Sequence, residues 1–511
     1  MQRVSHLHKH EAGLYTPLYY ATELLRELRL SKTSYRVALR HRPGRKWLDP
    51  KIRDISPHVR ILFGNEPNGR ITPNHQSRLN SLSQWLDRNE DDEYPAIVLA
   101  RVLARAIEEE YAATFWEQMR SYYNVAENTG PNVRTHALKE GDPVPVCNTI
   151  YAARTSGQHE FGTDSTTQSR DDNSQGRRGD YGTNPRSLPR WREPDRLSRV
   201  LLAPAGIEAF QVSLDFSLDS DLELLPLGRI ATVHPTLDLQ SDYCWHSDGH
   251  HLFDVRPRNE TDTPPGPPVD DYLDRLKRSL EVSRKNQASL IVLPELSVTP
   301  EITSGLTTYW QEMIEEAENA GGRVPVILVA GSYHHDRGVD GGKANTATII
   351  SKAAICEIDK VVPYVQAEPD AVDGDLVEDI AQRRRPAVTI FCSERMTMVA
   401  FICVDYLLDP LRDLARDLDI TLTVLPSMSA KSKVFAGLIA GHVAATQGAV
   451  VLANAVQATD DGSRGLIGHP AFPEQVLRLN NDFGVQPQGG VAVVDLRAPS
   501  ASKWHPVTEA S

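Results

Sequence analysis

Three polar residues stand at the ends of otherwise apolar segments: Glu295 in LIVLPEL, Lys360 in CEIDKVVPY and Cys403 in MVAFICVDY. A carboxylate, an ammonium and a thiol make a complete covalent catalyst that needs no cofactor and no metal. The carboxylate takes the thiol proton and the thiolate attacks an electrophilic carbon. The ammonium stabilises both the thiolate and the negative atom of the intermediate. Taken singly, each residue has a plainer reading. Pro294-Glu295 suits a turn with a solvated carboxylate, and a lysine after a strand usually faces water. A cysteine in an apolar strand is usually a small core hydrophobe. Cys392, in IFCSER, is the competing nucleophile but lacks a comparable setting.

The elements that must position these groups are legible from about residue 225 onward. Short apolar runs predict strands at 229–233, 289–293, 324–330, 346–350, 353–358, 398–402, 421–425, 449–453 and 491–494. Helical spacing appears at Leu273, Leu276 and Leu280, and over 303–320, 409–418 and 433–447. Strands alternating with helices indicate an α/β layer architecture. In such layers the strand ends are where loops collect functional groups. Glu295, Lys360 and Cys403 each follow one of these strands.

In this order and context, residues 225–497 resemble the nitrilase, or carbon–nitrogen hydrolase, superfamily. Further landmarks agree: VAGSY before the lysine, NTATII leading to it, VVLANA near 450–455 and GGVAVVDL at 489–496. The resemblance implies a four-layer α-β-β-α sandwich and a Glu295-Lys360-Cys403 triad. Glu295 would be the general base and later the acid, and Cys403 would form a thioester, or a thioimidate from a nitrile. Lys360 and the backbone N–H of Val404 would form the oxyanion hole. A further glutamate eight residues after the lysine, Glu368, would hold Lys360 and position substrate or water. As an ordinary ion-pair partner of Lys360 it would need no such role. The family also implies a small amide as substrate, less readily a nitrile or carbamoyl compound, and assembly into at least a dimer. Two departures leave the substrate class open. Ile358 stands where the family often has an aromatic, and Tyr406-Leu407-Leu408-Asp409-Pro410 replaces a Phe-Pro-Glu type segment.

The rest of the chain is less specific. Of 511 residues, 40% are hydrophobic and 24% charged, ordinary for a globular protein with a sizeable core. Five cysteines without a CxxC pair point to neither a disulfide framework nor a cysteine zinc site. No apolar run approaches a membrane span, and MQRVSHLHKHEAG contains no secretory-type apolar stretch. A cytoplasmic setting is therefore expected. Residues 1–152 read as a mostly helical N-terminal domain, with apolar stripes at Leu18–Leu28 and Ile97–Ile107. Residues 153–195 are poor in aliphatic side chains and read as a flexible linker. Residues 196–224 connect this linker to the 225–497 domain, and 498–511 form a tail.

The net charge of −13 falls wholly on residues 225–511, whereas Arg36–Arg60 holds eight basic and two acidic residues. A solvated basic face explains that stretch most simply, although it would also suit phosphates. The competing function is accordingly a nitrilase-fold binding or assembly module whose N-terminal half contacts a protein or nucleic acid. Two histidine-bearing stretches carry less weight. Cys244, His246, Asp248, His250 and His251 in CWHSDGHH fit no standard metal spacing. His334-His335, in GSYHHDRG, read as a solvated loop that could at most touch substrate.

Overall fold

The computed structural model describes residue 138, residues 143–145 and 200–203 and, with interruptions, residues 206–507. The helical stripes expected within 1–152 and the linker 153–195 lie outside the described residues. The chain divides into two compact units, one of residues 1–148 with 188–208 and one of 149–187 with 209–511. In the first, strand β1 (Pro143–Pro145) pairs antiparallel with β2 (Val200–Leu202), with Val144 opposite Leu201.

The second unit carries the α/β layers. It runs through β3 (Gln211–Asp215), α1 (Asp219–Leu224), β4 (Arg229–His234), β5 (Tyr243–Ser247) and β6 (Leu252–Pro257). Next come α2 (Val269–Lys285), β7 (Leu290–Val292), α3 (Pro300–Asn319), β8 (Ile327–Asp336), β9 (Lys343–Ser351) and β10 (Ile355–Asp359). Short strands β11 (Val365–Gln366) and β12 (Leu376–Glu378) precede β13 (Ala387–Cys392) and β14 (Thr397–Ala400). The chain then forms α4 (Asp409–Asp417), β15 (Leu422–Ser427), α5 (Ser432–Thr446) and β16 (Ala449–Asn454). It closes with β17 (Gly465–Gly468), β18 (Val476–Arg478), β19 (Gly490–Asp495) and β20 (Lys503–Pro506).

Two seven-stranded sheets result, ordered β10-β9-β8-β7-β4-β19-β20 and β18-β17-β16-β15-β14-β13-β3. Both have parallel centres, β4-β7-β8 in one and β14-β15-β16 in the other. A central strand covered on both faces is apolar throughout rather than alternating. Accordingly β7 and β15 are buried at every position. One core lies between the sheets, where Ile230, Val292 and Val329 meet Met398, Val424 and Val451. A second core covers the other face of the first sheet, where Ile291, Leu293 and Leu328 meet Leu276 and Leu280 of α2 and Leu306 and Trp310 of α3. Helix α5 approaches the outer face of the second sheet so closely that a Cβ on Gly468 would lie 2.4 Å from Ile439. Only glycine permits that approach. Helices, sheet, sheet and helices thus follow one another.

The expected elements within 225–497 recur with shifted ends, and several strands were not foreseen. Strand β8 starts at Ile327 rather than 324 and continues to Asp336, past a register shift between Val329 and Ser332. Gly331, at φ +79°, accommodates this bulge. The stretch GSYHHD is therefore strand, correcting the solvated loop expected for it. Strands β5, β6, β11 and β12 build a separate four-stranded sheet, ordered β11-β12-β6-β5. Strands β3 and β20 add edges to the seven-stranded sheets from outside 225–497.

Candidate active site

Glu295 follows β7 in a tightly held turn. The Leu293 N–H donates to the Val329 carbonyl at 2.9 Å. Leu296 adopts φ +53°, and its N–H donates to Ser332 Oγ at 3.1 Å. Ser297 Oγ donates to the Pro294 carbonyl at 2.7 Å, and Tyr272 of α2 donates to the Ser297 carbonyl at 2.8 Å. The bulge at Gly331 is what presents Ser332 to this turn. A Cβ on Gly331 would lie 2.6 Å from both the Pro294 carbonyl oxygen and Ser297 Oγ. The VAGSY segment therefore supports the glutamate loop directly.

Lys360 leaves β10 with its N–H bonded to the Asn345 carbonyl at 2.8 Å. Its Nζ donates to Glu295 Oε1 at 2.7 Å and to Glu378 Oε2 at 2.6 Å, and all three side chains are 2% exposed. Asn345, the first residue of NTATII, donates from Nδ2 to Glu295 Oε1 (3.1 Å) and Glu378 Oε1 (2.9 Å). One ammonium and one amide thus bridge two buried carboxylates, which is the pairing that buried charges require.

Glu378, at the end of β12, is the carboxylate that sequence reasoning missed. Oε2 accepts from Lys360 Nζ and from the Tyr364 N–H (2.8 Å). Oε1 accepts from Asn345 and lies 2.9 Å from His334 Nε2. Burial works to raise its pKa, but the Lys360 charge and these hydrogen bonds hold the carboxyl well below the usual range. Burial likewise disfavours the Lys360 ammonium, yet Glu295 and Glu378 together raise its pKa above the usual lysine value. Glu368 lies outside the described residues. LVEDI, which contains Glu378, carries no motif, and only the pairing of β12 with β6 brings it here. His334 is likewise part of the cluster rather than solvated, while His335 bonds Thr346 Oγ1 at 2.9 Å.

Cys403 opens a short 3-10 turn, Cys403–Leu407, after β14. Its φ of +48° is a strained conformation for a residue with a side chain. Ser427 Oγ donates to Sγ at 3.5 Å from the end of β15. Burial and the Glu295 charge push the thiol pKa up, against an opposing pull from Lys360. The charges of Glu295 and Lys360 thus bear on Sγ in opposite senses. Val404 follows in the same turn, half-buried. Asp405 joins the cysteine loop to the lysine loop. It accepts N–H bonds from Val361 (3.1 Å), Val362 (2.9 Å) and Ile402 (3.2 Å), and burial raises its pKa to about 7. Cys392 ends β13 with its thiol directed to the Ile390 carbonyl at 3.5 Å.

Among the described residues no group of three or more His, Cys, Asp and Glu side chains is placed to hold a metal ion. Cys244 is buried on β5, and Asp248, His250 and His251 lie outside the described residues. No helix among the described residues is long and apolar enough to cross a membrane.

No protein-family model matches the chain, and no curated protein matches it. Solved structures do. One is an alanine variant of the Nesterenkonia AN1 amidase from the nitrilase superfamily, 17% identical over 53% of this chain and 91% of that chain, with a TM-score of 0.34. Another is an alanine variant of the amidase from Nesterenkonia sp. AN1 in complex with butyramide, 16% identical over 54% of this chain and 94% of that chain, TM-score 0.34. A third is a glutamine variant of that amidase showing Michael addition of acrylamide at its active-site cysteine, 16% identical over 52% and 92%, TM-score 0.34. The chain is similar to these nitrilase-superfamily amidases over about half its length.

Proposed function

We propose that the second unit is a thiol-dependent carbon–nitrogen hydrolase that cleaves a small amide through a thioester on Cys403. The observation that carries this reading is the buried Lys360 ammonium, 2.7 Å from Glu295, in a cluster whose charges act on the Cys403 thiol. Because the thiol pKa is raised, the resting group is the neutral thiol. Proton transfer to Glu295 must then accompany attack on the amide carbon. An ammonium has three N–H bonds, and two of those on Lys360 bind Glu295 and Glu378. The third is available to the oxyanion of the tetrahedral intermediate, together with the Val404 N–H. Glu295 returns its proton to the departing amine, leaving the acyl group on sulfur. A water deprotonated by Glu295 then attacks the thioester, and the acid and the free thiol are released. Glu378 accepts four hydrogen bonds and so acts as a fixed anion rather than as a base.

The test is intact-protein mass spectrometry after incubation with a library of small amides and nitriles. An acyl adduct on the wild type that is absent from Cys403→Ala is expected. Cys403→Ala should fold and should lose iodoacetamide labelling at that site. Equal labelling of both proteins, or no adduct from any member of the library, would overturn the reading.

A further inference from the structure

Glu378 reaches Lys360 from outside the sheet that carries the rest of the cluster, because β12 belongs to the four-stranded sheet. What seats that small sheet against the larger one therefore sets where the carboxylate stands. His334 on β8 touches two of its strands at once. Its Nδ1 lies 2.9 Å from both the backbone N and O of Val255 on β6, and its Nε2 lies 2.9 Å from Glu378 Oε1 on β12. The imidazole is 5% exposed. Strands β6 and β12 pair in parallel, with Glu378 opposite Phe253, so the ring spans the joint between them.

The proton placement follows from the partners. An ionised carboxylate accepts only, so Nε2 must carry hydrogen. A neutral ring then accepts the Val255 N–H at Nδ1, and a charged ring donates to the Val255 carbonyl. In either state Nε2–H points at Glu378. A second fastening lies nearer solvent, where Lys343 of β9 pairs with Asp254 of β6 and lies 3.0 Å from Asp379. That pair holds the small sheet without touching Glu378, so the sheet keeps an anchor when His334 is replaced.

We propose that His334 is a positioning residue: it seats the four-stranded sheet on β8 and thereby holds Glu378 on Lys360. The proposal rests on the hydrolase reading for its catalytic consequence, but its structural content does not. Without the imidazole, Oε1 of Glu378 keeps only Asn345, and the carboxylate can turn away from Lys360. The ammonium then shifts toward Glu295, and the field at Cys403 changes.

Two measurements on the full chain test this with His334→Ala, His334→Gln, Glu378→Gln and the His334→Ala/Glu378→Gln double variant. Hydrogen–deuterium exchange should rise in segments 252–257 and 376–378 of His334→Ala. It should fall back toward wild type in His334→Gln, whose amide can still donate to Glu378. The rate of Cys403 alkylation by iodoacetamide should change about tenfold in His334→Ala, as for other contacting residues, and no further when Glu378→Gln is already present. Unchanged exchange in His334→Ala overturns the proposal whether or not the protein hydrolyses amides. Additive effects on alkylation overturn it as well, since a general loosening would act equally in both backgrounds. A wild type without amide turnover counts against the hydrolase alone and leaves the exchange result standing.

Discussion

Lys360 and Glu378 meet at 2.6 Å although they come from different sheets, and neither side chain is more than 2% exposed. Such a pair costs much to desolvate, and breaking it leaves an uncompensated buried charge. With Glu295 on the same ammonium at 2.7 Å, the cluster holds two carboxylates around one cation. Glu378 is bonded on every side, so the proposed proton exchange with Cys403 is assigned to Glu295.

Separate roles for the two carboxylates predict separate kinetics. Glu295→Gln should lose proton transfer altogether, lowering kcat by about 10²–10⁴-fold. Glu378→Gln should lower kcat by about 10²-fold with KM changed only a few-fold, because its contribution is electrostatic and positional. Steady-state kinetics on the amide that acylates the wild type would show this. Wild-type kcat in Glu378→Gln would count against any part for that carboxylate.

Gly331→Ala tests the support beneath Glu295. The added methyl meets the Pro294 carbonyl oxygen at 2.6 Å in a left-handed backbone conformation. We expect a loss of about 1–3 kcal/mol in urea unfolding. A fall in kcat should accompany it, since Ser332 would no longer be aligned with the Leu296 N–H. An unaltered melt would show that the bulge does not bear on the glutamate loop.

Asp405 should leave a mark on stability against pH. Burial raises its folded pKa to about 7 from a usual value near 3.8. The folded protein therefore holds the extra proton between those values. Stability from this group is fully present below the lower value and is lost as pH rises through the upper one. Relative to Asp405→Asn, which does not titrate, the wild type should lose about 2–3 kcal/mol between pH 5 and pH 8. Parallel stability curves for the two proteins would refute a raised Asp405.

Trp310→Ala separates packing from chemistry. Trp310 is fully buried on α3, beneath the first sheet. Its removal should cost about 3–5 kcal/mol. The folded fraction should keep wild-type kcat, as measured per active site titrated with an alkylating probe.

Glu295 and Cys403 were legible because each follows a strand buried along its length, β7 and β14, and a strand's burial is written in its own residues. Lys360 follows β10, whose first three positions are exposed or half-buried, and was legible from the stretches around it. β7 and β15 could be placed from apolar runs alone. Glu378 and His334 were not legible. The small sheet is built from stretches such as YCWHS, LFDVRP and LVE, whose mixed polarity reads as loop. Its strands are joined by pairings between distant parts of the chain, as Val377 with Leu252. Strands β3 and β20, outside 225–497, escaped for the same reason, since β3 becomes a strand by lying against β13.

By itself, then, the chain determined an α/β layering and the placing of Glu295, Lys360 and Cys403 after its strands, because residue type and local periodicity decide burial. The tertiary structure alone decided which second carboxylate stands on Lys360, which histidine holds it and how Asp405 ties the lysine loop to the cysteine loop. Those contacts depend on sheet register and on backbone N–H groups brought together from separate strands, and no local pattern of side chains encodes them.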